Sequence, residues 1–354
     1  MTESGRTGFT TGTCAAAAAK AAAILLQSGE KPDRVEIGLA NGSRVRLPIA
    51  EYSSTGQSAR AAVKKDAGDD PDVTDGCLVT VEVSWTDSSE IQLVAGEGVG
   101  TVTKPGLAIP PGEPAINPVP RRMIAEAVRE ISNRGVRIAV SIPGGRELAE
   151  KTFNPRLGIE GGLSILGTSG IVRPFSLEAL KDTLVVSLNV AAACDIRYPV
   201  FVPGRIGEKA ARRHFSITSE QLIEVSNAWG FVLDETVKYR FNALLVLGHP
   251  GKLAKLAQNE WDTHSSNSSS AVPAMLKLAE EVVGKRPPDS LTVEAIFGDL
   301  AIDEKRVLAD AVAARIEAAV FQRVQKRFSV SVVLVDLRGE ILGTHGDLSF
   351  WKKS

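Results

Sequence analysis

Between residues 34 and 49 the chain reads RVEIGLANGSRVRLPI, with apolar and polar positions alternating on both sides of Asn41-Gly42. A period of two marks a strand with one buried face, and Asn-Gly suits the two positive-φ positions of a type I′ turn, so the stretch predicts a hairpin. CLVTVEVSW (77–85) and EIQLVA (90–95) read as further strands, and Ala59–Lys65 as a short helix before them. An acidic loop holding Asp66, Asp69, Asp70, Asp72 and Asp75 follows that helix. Near the start, RTGFTTGTCAAAAAKAAAILL (6–26) predicts a helix, because alanine is the best helix former. Its expected N-cap is Thr13, and Ser28-Gly29 with Pro32 beyond is the expected stop. After a Pro-rich loop, PRRMIAEAVREISN (120–133) predicts a helix opened by Pro120.

From about residue 135 the pattern changes. VRIAVSI (136–142), LSILG (163–167), YPVFV (198–202) and ALLVLG (243–248) are short apolar runs, as expected of strands buried on both faces. Helical stretches are expected between them, at 145–153, 176–193, 205–213, 218–229 and 251–258. Strand alternating with helix predicts a parallel α/β sheet. AVPAMLKLAEEVVG (271–284) and the amphipathic 304–328 read as helices, and SVSVVLVDLRGEILGTHG (329–346) closes the chain as a hairpin. The expected organisation is therefore an N-terminal α+β domain with antiparallel strands over 1–134. A C-terminal α/β domain with a mainly parallel sheet follows over 135–354.

Composition narrows the function. The 354 residues suffice for two domains, and 44% apolar with 23% charged residues fits a soluble globular protein. No apolar run approaches the roughly 18 residues a membrane span needs, and MTESGRTGFT lacks the apolar core of a secretory signal. Forty-one basic against 42 acidic residues give a net charge of −1, so bulk electrostatics do not point to nucleic acid. Cys14, Cys77 and Cys194 form no CxxC pair, which fits a reducing cytoplasm better than a disulfide framework or a zinc site. The histidines (214, 249, 264 and 345) have no metal-ligand spacing, so no protein-bound metal is expected.

Several glycine-rich loops are candidates for ligand contact: 143–145, 167–170, 203–207 and 248–252. If all four end parallel strands, they share the sheet edge where α/β proteins bind ligands; βα turns also use glycine for geometry alone. GHPGKL lacks the spacing and the Ser or Thr of a P-loop, which disfavours an NTPase or a phosphate-ester enzyme. GEGVG (96–100) follows a strand, but the β-branched, Pro-stopped segment behind it cannot open a helix, so the usual nucleotide motif is absent. His249 lies in a strand-end glycine loop and His264 in a polar loop, addresses that suit function, with a merely solvated loop histidine the expected alternative for His264. Arg121 and Arg122 start a helix, where two cations oppose the dipole; either an anion or solvent answers them.

Four stretches together carry a resemblance. GFTTGTCAAAAAKAAA, GEGVGTVTKPGLAIPPGEPAINPVPRRMI, GIEGGLSILGTSGIVRP and GHPGKLAKLA resemble the CbiD family of cobalt-precorrin-5B C(1)-methyltransferases, from about Thr7 to the C-terminal hairpin. The resemblance implies methyl transfer from S-adenosylmethionine to ring carbon 1 of a corrinoid precursor, giving cobalt-precorrin-6A in anaerobic cobalamin biosynthesis. A non-catalytic binding protein for an anionic tetrapyrrole is the alternative. On this reading Thr10, Thr11, Thr13, Gly98, Gly100, Thr101, Lys104, Arg121 and Arg122 are expected to bind the polycarboxylate substrate, with Arg173 and Arg205 behind them. Gly167, Thr168, Ser169, Gly170, Gly248, His249 and Gly251 are expected to hold the methyl donor, and His249 or His264 to take a proton. A small-molecule corrinoid is the expected partner, with neither nucleic acid nor membrane, and a homo-oligomer is left open.

Overall fold

The computed structural model describes residues 5–174 and 176–352. The chain divides into two compact units, Met1–Ser176 and Leu177–Ser354. Among the described residues no helix is long and apolar enough to cross a membrane.

The first unit runs β1 (Gly8–Phe9), α1 (Thr11–Ser28), β2 (Arg34–Gly38), β3 (Arg44–Pro48), β4 (Glu51–Ser54), β5 (Ser58–Lys64), β6 (Leu78–Thr86) and β7 (Ile91–Ala95). It continues through β8 (Thr101–Val102), α2 (Pro118–Arg129), β9 (Gly135–Ser141), α3 (Gly145–Ala149), β10 (Ile159–Glu160) and β11 (Ile171–Val172). Its main sheet has the order β4-β5-β6-β9-β7. All pairs in it are antiparallel except β7 with β9. The expected hairpin forms as β2 and β3 around the Asn41-Gly42 turn. Alternation in β6 buries Val79, Val81 and Val83, and α1 lies across β5 and β6 with α2 packed against it as well. Covered in this way, α1 is buried from Thr11 through Ala19. Its N-cap is Thr10, three residues before the expected Thr13; Thr10 Oγ1 accepts from the Thr13 N–H at 3.2 Å. Gly29 ends it at φ 77°, as expected.

Three expectations are corrected here. Ala59–Lys65 is β5 and not a helix, because pairing on both sides with β4 and β6 outweighs the helix preference of its alanines. VRIAVSI is β9, and pairing with β6 and β7 ties it to the first unit. The compact units accordingly part after residue 176, not at 134. LSILG is no strand but makes two single bridges, Val99 to Leu163 and Ile116 to Ile165.

The second unit contains α4 (Leu177–Ala193), β12 (Val200–Val202), α5 (Arg205–His214), β13 (Leu222–Glu224), α6 (Trp229–Thr236), β14 (Ala243–Gly248) and α7 (Pro250–Leu253). After these come α8 (Val272–Val283), α9 (Val293–Gly298), α10 (Ile302–Arg323), β15 (Ser329–Val335) and β16 (Ile341–His345). The strand order is β13-β12-β14-β15-β16. The first four are parallel, and β16 is antiparallel to β15. Alternate residues serve opposite faces. Phe201, Leu244, Val246, Val332 and Leu334 pack with α4, α6, α8 and α10. Val200, Val202, Leu245, Leu247, Val333 and Val335 pack with Ala210 and Ala211 of α5 and with Trp351. The expected helix 218–229 is instead β13 followed by α6, since LIE is too short a strand to show a period.

Inside the first unit, Lys65 is buried and donates to Asp72 Oδ2 at 2.7 Å, its side chain only 1% exposed. Burial pushes the Asp72 carboxyl up, but bonds from Lys65 and from the Thr74 amide and hydroxyl outweigh this and hold it below its usual value. Asp72 therefore adds stability above its unfolded-state pKa and loses it as pH falls through its lower folded value. We expect Asp72→Asn to cost about 3 kcal/mol at neutral pH by leaving Lys65 unpaired. In urea unfolding, the variant should also lose the part of the parent's acid-side decline that Asp72 contributes.

Candidate functional site

Because β7 and β9 run parallel side by side, their outgoing loops leave the same edge of the first sheet. GEGVG follows β7, and Pro143-Gly144-Gly145 follows β9. With Glu160 and Gly161 they line a cavity of about 570 Å³. Gly98 sits at φ 71°, and a Cβ there would fall on the Ile142 carbonyl oxygen; Cβ atoms on Gly145 or Gly162 would strike the Gly98 carbonyl. These glycines lock backbone against backbone. Gly144 and Gly161, both at positive φ, have nothing within 4 Å of a Cβ and face open space. Glu97, Arg146, Glu147 and Glu160 give the lining an acidic excess, with Thr101 beside them. That charge suits hydrogen-bond donors or a cationic group better than a bare carboxylate.

The hydroxyls at the start of α1 have protein partners. Thr13 Oγ1 donates to the Gly170 carbonyl at 2.6 Å. Thr11 Oγ1 donates to the Ser164 carbonyl at 3.3 Å and accepts from the Leu166 N–H at 3.0 Å. Thr10, Thr11 and Thr13 are all buried. They dock segment 164–170 onto the helix, and a Cβ on Gly167 would collide with Thr10. Thr168 and Ser169 belong to this same loop, where Ser169 Oγ donates to the Ile171 carbonyl at 3.2 Å. The Cys14 thiol in this helix is pushed up to about 12 by burial.

Among the expected cations, Arg121 clamps the Pro-rich loop, donating to the Ile116 carbonyl at 2.7 Å and the Pro114 carbonyl at 3.1 Å. Lys104 packs its stem where a Gly158 side chain would be. Arg122 points outward, its side chain 59% exposed and 3.9 Å from Glu126.

In the second unit, β12 leads through α5 to β13 on one side, while β14 leads away to β15 on the other. The order reverses between β12 and β14, which is where an open α/β sheet offers a crevice at its carboxyl edge. Pro203-Gly204 and Gly248-His249 border it. A Cβ on Gly204 would meet only Glu224 Oε1, at 3.7 Å. Lys252 donates to Asn227 Oδ1 at 2.9 Å. Burial and then Lys255 lower its pKa, against the opposing pull of Glu224. Gly248 abuts Pro203, and Gly251 abuts the His249 ring.

Both candidate bases are committed by hydrogen bonds. His249 Nδ1 accepts from the Gly251 N–H at 3.0 Å, and Nε2 lies 2.6 Å from Glu294 Oε2. His264 Nδ1 accepts from the Ser266 N–H at 3.2 Å. In a neutral His249 the Gly251 contact puts the proton on Nε2, facing Glu294, whereas His264 Nδ1 also lies 2.6 Å from Ser266 Oγ, which itself donates to Asn267 Oδ1. The four glycine loops do not share one edge. Loop 143–145 joins GEGVG, 167–170 sits on α1, and only 203–207 and 248–252 end strands of the mainly parallel sheet. Glu97, Arg146, Glu147, Glu160 and Glu224 were not among the expected site residues. The glycines beside them were the signal in the first unit; Glu224, at the end of LIE, carries no local signal.

An antiparallel-rich α+β unit and a doubly wound unit in one chain, each with glycine loops at the carboxyl ends of parallel strands, define a two-unit protein of mixed α/β class. The chain belongs to the CbiD family: the CbiD description matches residues 1–174, and the CbiD C-terminal domain matches 262–346. A cobalt-precorrin-5B C(1)-methyltransferase of Syntrophotalea carbinolica is 52% identical over 98% of each chain. The protein of that name from Methanocaldococcus jannaschii is 40% identical over 98% of this chain and 97% of its own. The 1.9 Å crystal structure of a cobalamin biosynthesis protein (cbiD) from Archaeoglobus fulgidus is 30% identical, covers 70% of this chain and 78% of that one, and has a TM-score of 0.39.

Thermal unfolding should separate the two kinds of glycine. Gly98→Ala is expected to lose the folded first unit, because its Cβ has no room. Gly161→Ala should keep the fold at a cost of about 1–2 kcal/mol for its left-handed backbone.

Proposed function

We propose that the chain methylates carbon 1 of cobalt-precorrin-5B, giving cobalt-precorrin-6A, with S-adenosylmethionine as donor, in the cytoplasmic anaerobic route to cobalamin. The observation carrying this reading is 52% identity to a protein of that name over 98% of both chains. A pure binding protein for an anionic tetrapyrrole is the less favoured reading.

The donor supplies an electrophilic sulfonium methyl; the chain's residues bind, orient and keep water away. Such a transfer needs the two carbons held in line about 3–3.5 Å apart, so positioning accounts for most of the rate. We assign the donor to the carboxyl edge of the second unit's sheet, beside Gly204, Gly248 and the His249 turn. The open backbone at Gly204 gives a ligand room to approach there. Arg122, exposed and only loosely paired, is assigned to a substrate carboxylate. The cavity beside Gly144 and Gly161, with its acidic excess, is assigned to a part of the substrate that carries no carboxylate.

Anaerobic incubation of the purified chain with cobalt-precorrin-5B and S-adenosylmethionine should add the mass of one CH2 per turnover. Intact substrate with tight binding would favour the binding protein instead. Arg122→Ala should weaken substrate binding about tenfold, the loss of one charge-assisted hydrogen bond, and an unchanged affinity in titration removes it from the site. His249→Asn, which keeps an acceptor for the Gly251 N–H, should leave the pH profile of the rate unmoved; loss of the acid-side limb would restore His249 as the base.

A further inference from the structure

We infer that Glu224 holds the ribose diol of the methyl donor and makes the second unit selective for an adenosyl ligand over its deoxy analogues. The inference rests on the donor being S-adenosylmethionine, as proposed above.

The strand order carries the first part of the argument. Numbered from β12, the order β13-β12-β14-β15-β16 is 2-1-3-4-5, a doubly wound arrangement whose reversal lies between its first and third strands. Ligands of such sheets lie outside the carboxyl ends at that reversal. The first βα turn there is Pro203-Gly204, and α5 starts at the next residue. Glu224 is the last residue of the second strand and comes twenty residues after Gly204. In nucleoside-binding sheets, an acidic residue about 20 residues beyond the glycine turn accepts from ribose hydroxyls.

Side-chain geometry carries the second part. The Glu224 carboxylate oxygen lies 3.7 Å from the point a Gly204 Cβ would occupy, and outside Pro203–Arg205 no other heavy atom comes within 4 Å of that point. The carboxylate thus stands beside the one opening in the first turn. Lys252, from the loop after the third strand, feels the Glu224 charge and is held by Asn227. The edge therefore presents an acceptor and a cation from neighbouring strand ends.

Ligand chemistry follows from these groups. An ionised carboxylate has acceptors only, and two hydroxyls on adjacent carbons offer two donors at matching spacing. A phosphate brought to the same place would meet a like charge, which fits the absence of a P-loop in GHPGKL. Glu224 is the acid placed by both the topology and the opening.

The test is calorimetric binding to the full chain, using S-adenosylhomocysteine and its 2′-deoxy and 3′-deoxy analogues. The unaltered protein should prefer the ribo ligand tenfold or more. Glu224→Ala should lose tenfold or more of the S-adenosylhomocysteine affinity and bind all three ligands alike. Glu224→Gln, which keeps the shape but not the charge, should fall between them and serves in place of the alanine variant if that fails to fold. Equal affinity in parent and variants, or ribose preference surviving in Glu224→Ala, overturns the assignment. If the unaltered chain binds none of the three ligands, the proposed donor itself is wrong.

Discussion

The first unit depends on close approach to α1. A helix buried from Thr11 to Ala19 must admit β5 and β6 on one side and α2 on another. The methyl side chains of Ala15–Ala19 let these neighbours come close, and interiors at crystal-like density tolerate little error in that volume. The same closeness controls the ends. Gly12 lies under Pro120, where even a Cβ would clash, and the Thr10, Thr11 and Thr13 hydroxyls reach partners that side chains of ordinary length would hold apart.

Burial also decides what the polar groups of this chain can do. A buried hydroxyl or guanidinium left without a partner costs more than a typical hydrogen bond returns, so the interior claims such groups first. The threonines at the α1 start, Arg121 behind the Pro-rich loop and the His249 ring are all claimed in this way. The strand edges carry Gly144, Gly161 and three glutamates in the first unit, and Glu224 in the second.

Each unit also places glycine loops at the carboxyl ends of parallel neighbours, β7 with β9 in one and β12 with β14 in the other. Parallel neighbours send their exits to one edge, so loops distant in sequence meet there. In the first unit the meeting is tight enough for the glycines to serve the backbone itself. In the second, Gly204 leaves an opening beside Glu224.

Much was determined by the sequence alone. Period-two alternation around Asn41-Gly42, the alanine run, the apolar runs YPVFV and ALLVLG of the doubly wound sheet and the closing hairpin are local patterns, and each formed where it was read. Four long stretches were specific enough to mark the family. Tertiary structure decided the rest, because the deciding contacts lie far apart in the chain. Ala59–Lys65 became a strand through two partners, VRIAVSI joined the earlier sheet through β6 and β7, and Gly167–Gly170 went to α1 through Thr10 and Thr13. Glu224 shows the difference most plainly: as the end of LIE it carries no local signal. Only the strand order puts it at the point where the sheet reverses, beside Gly204.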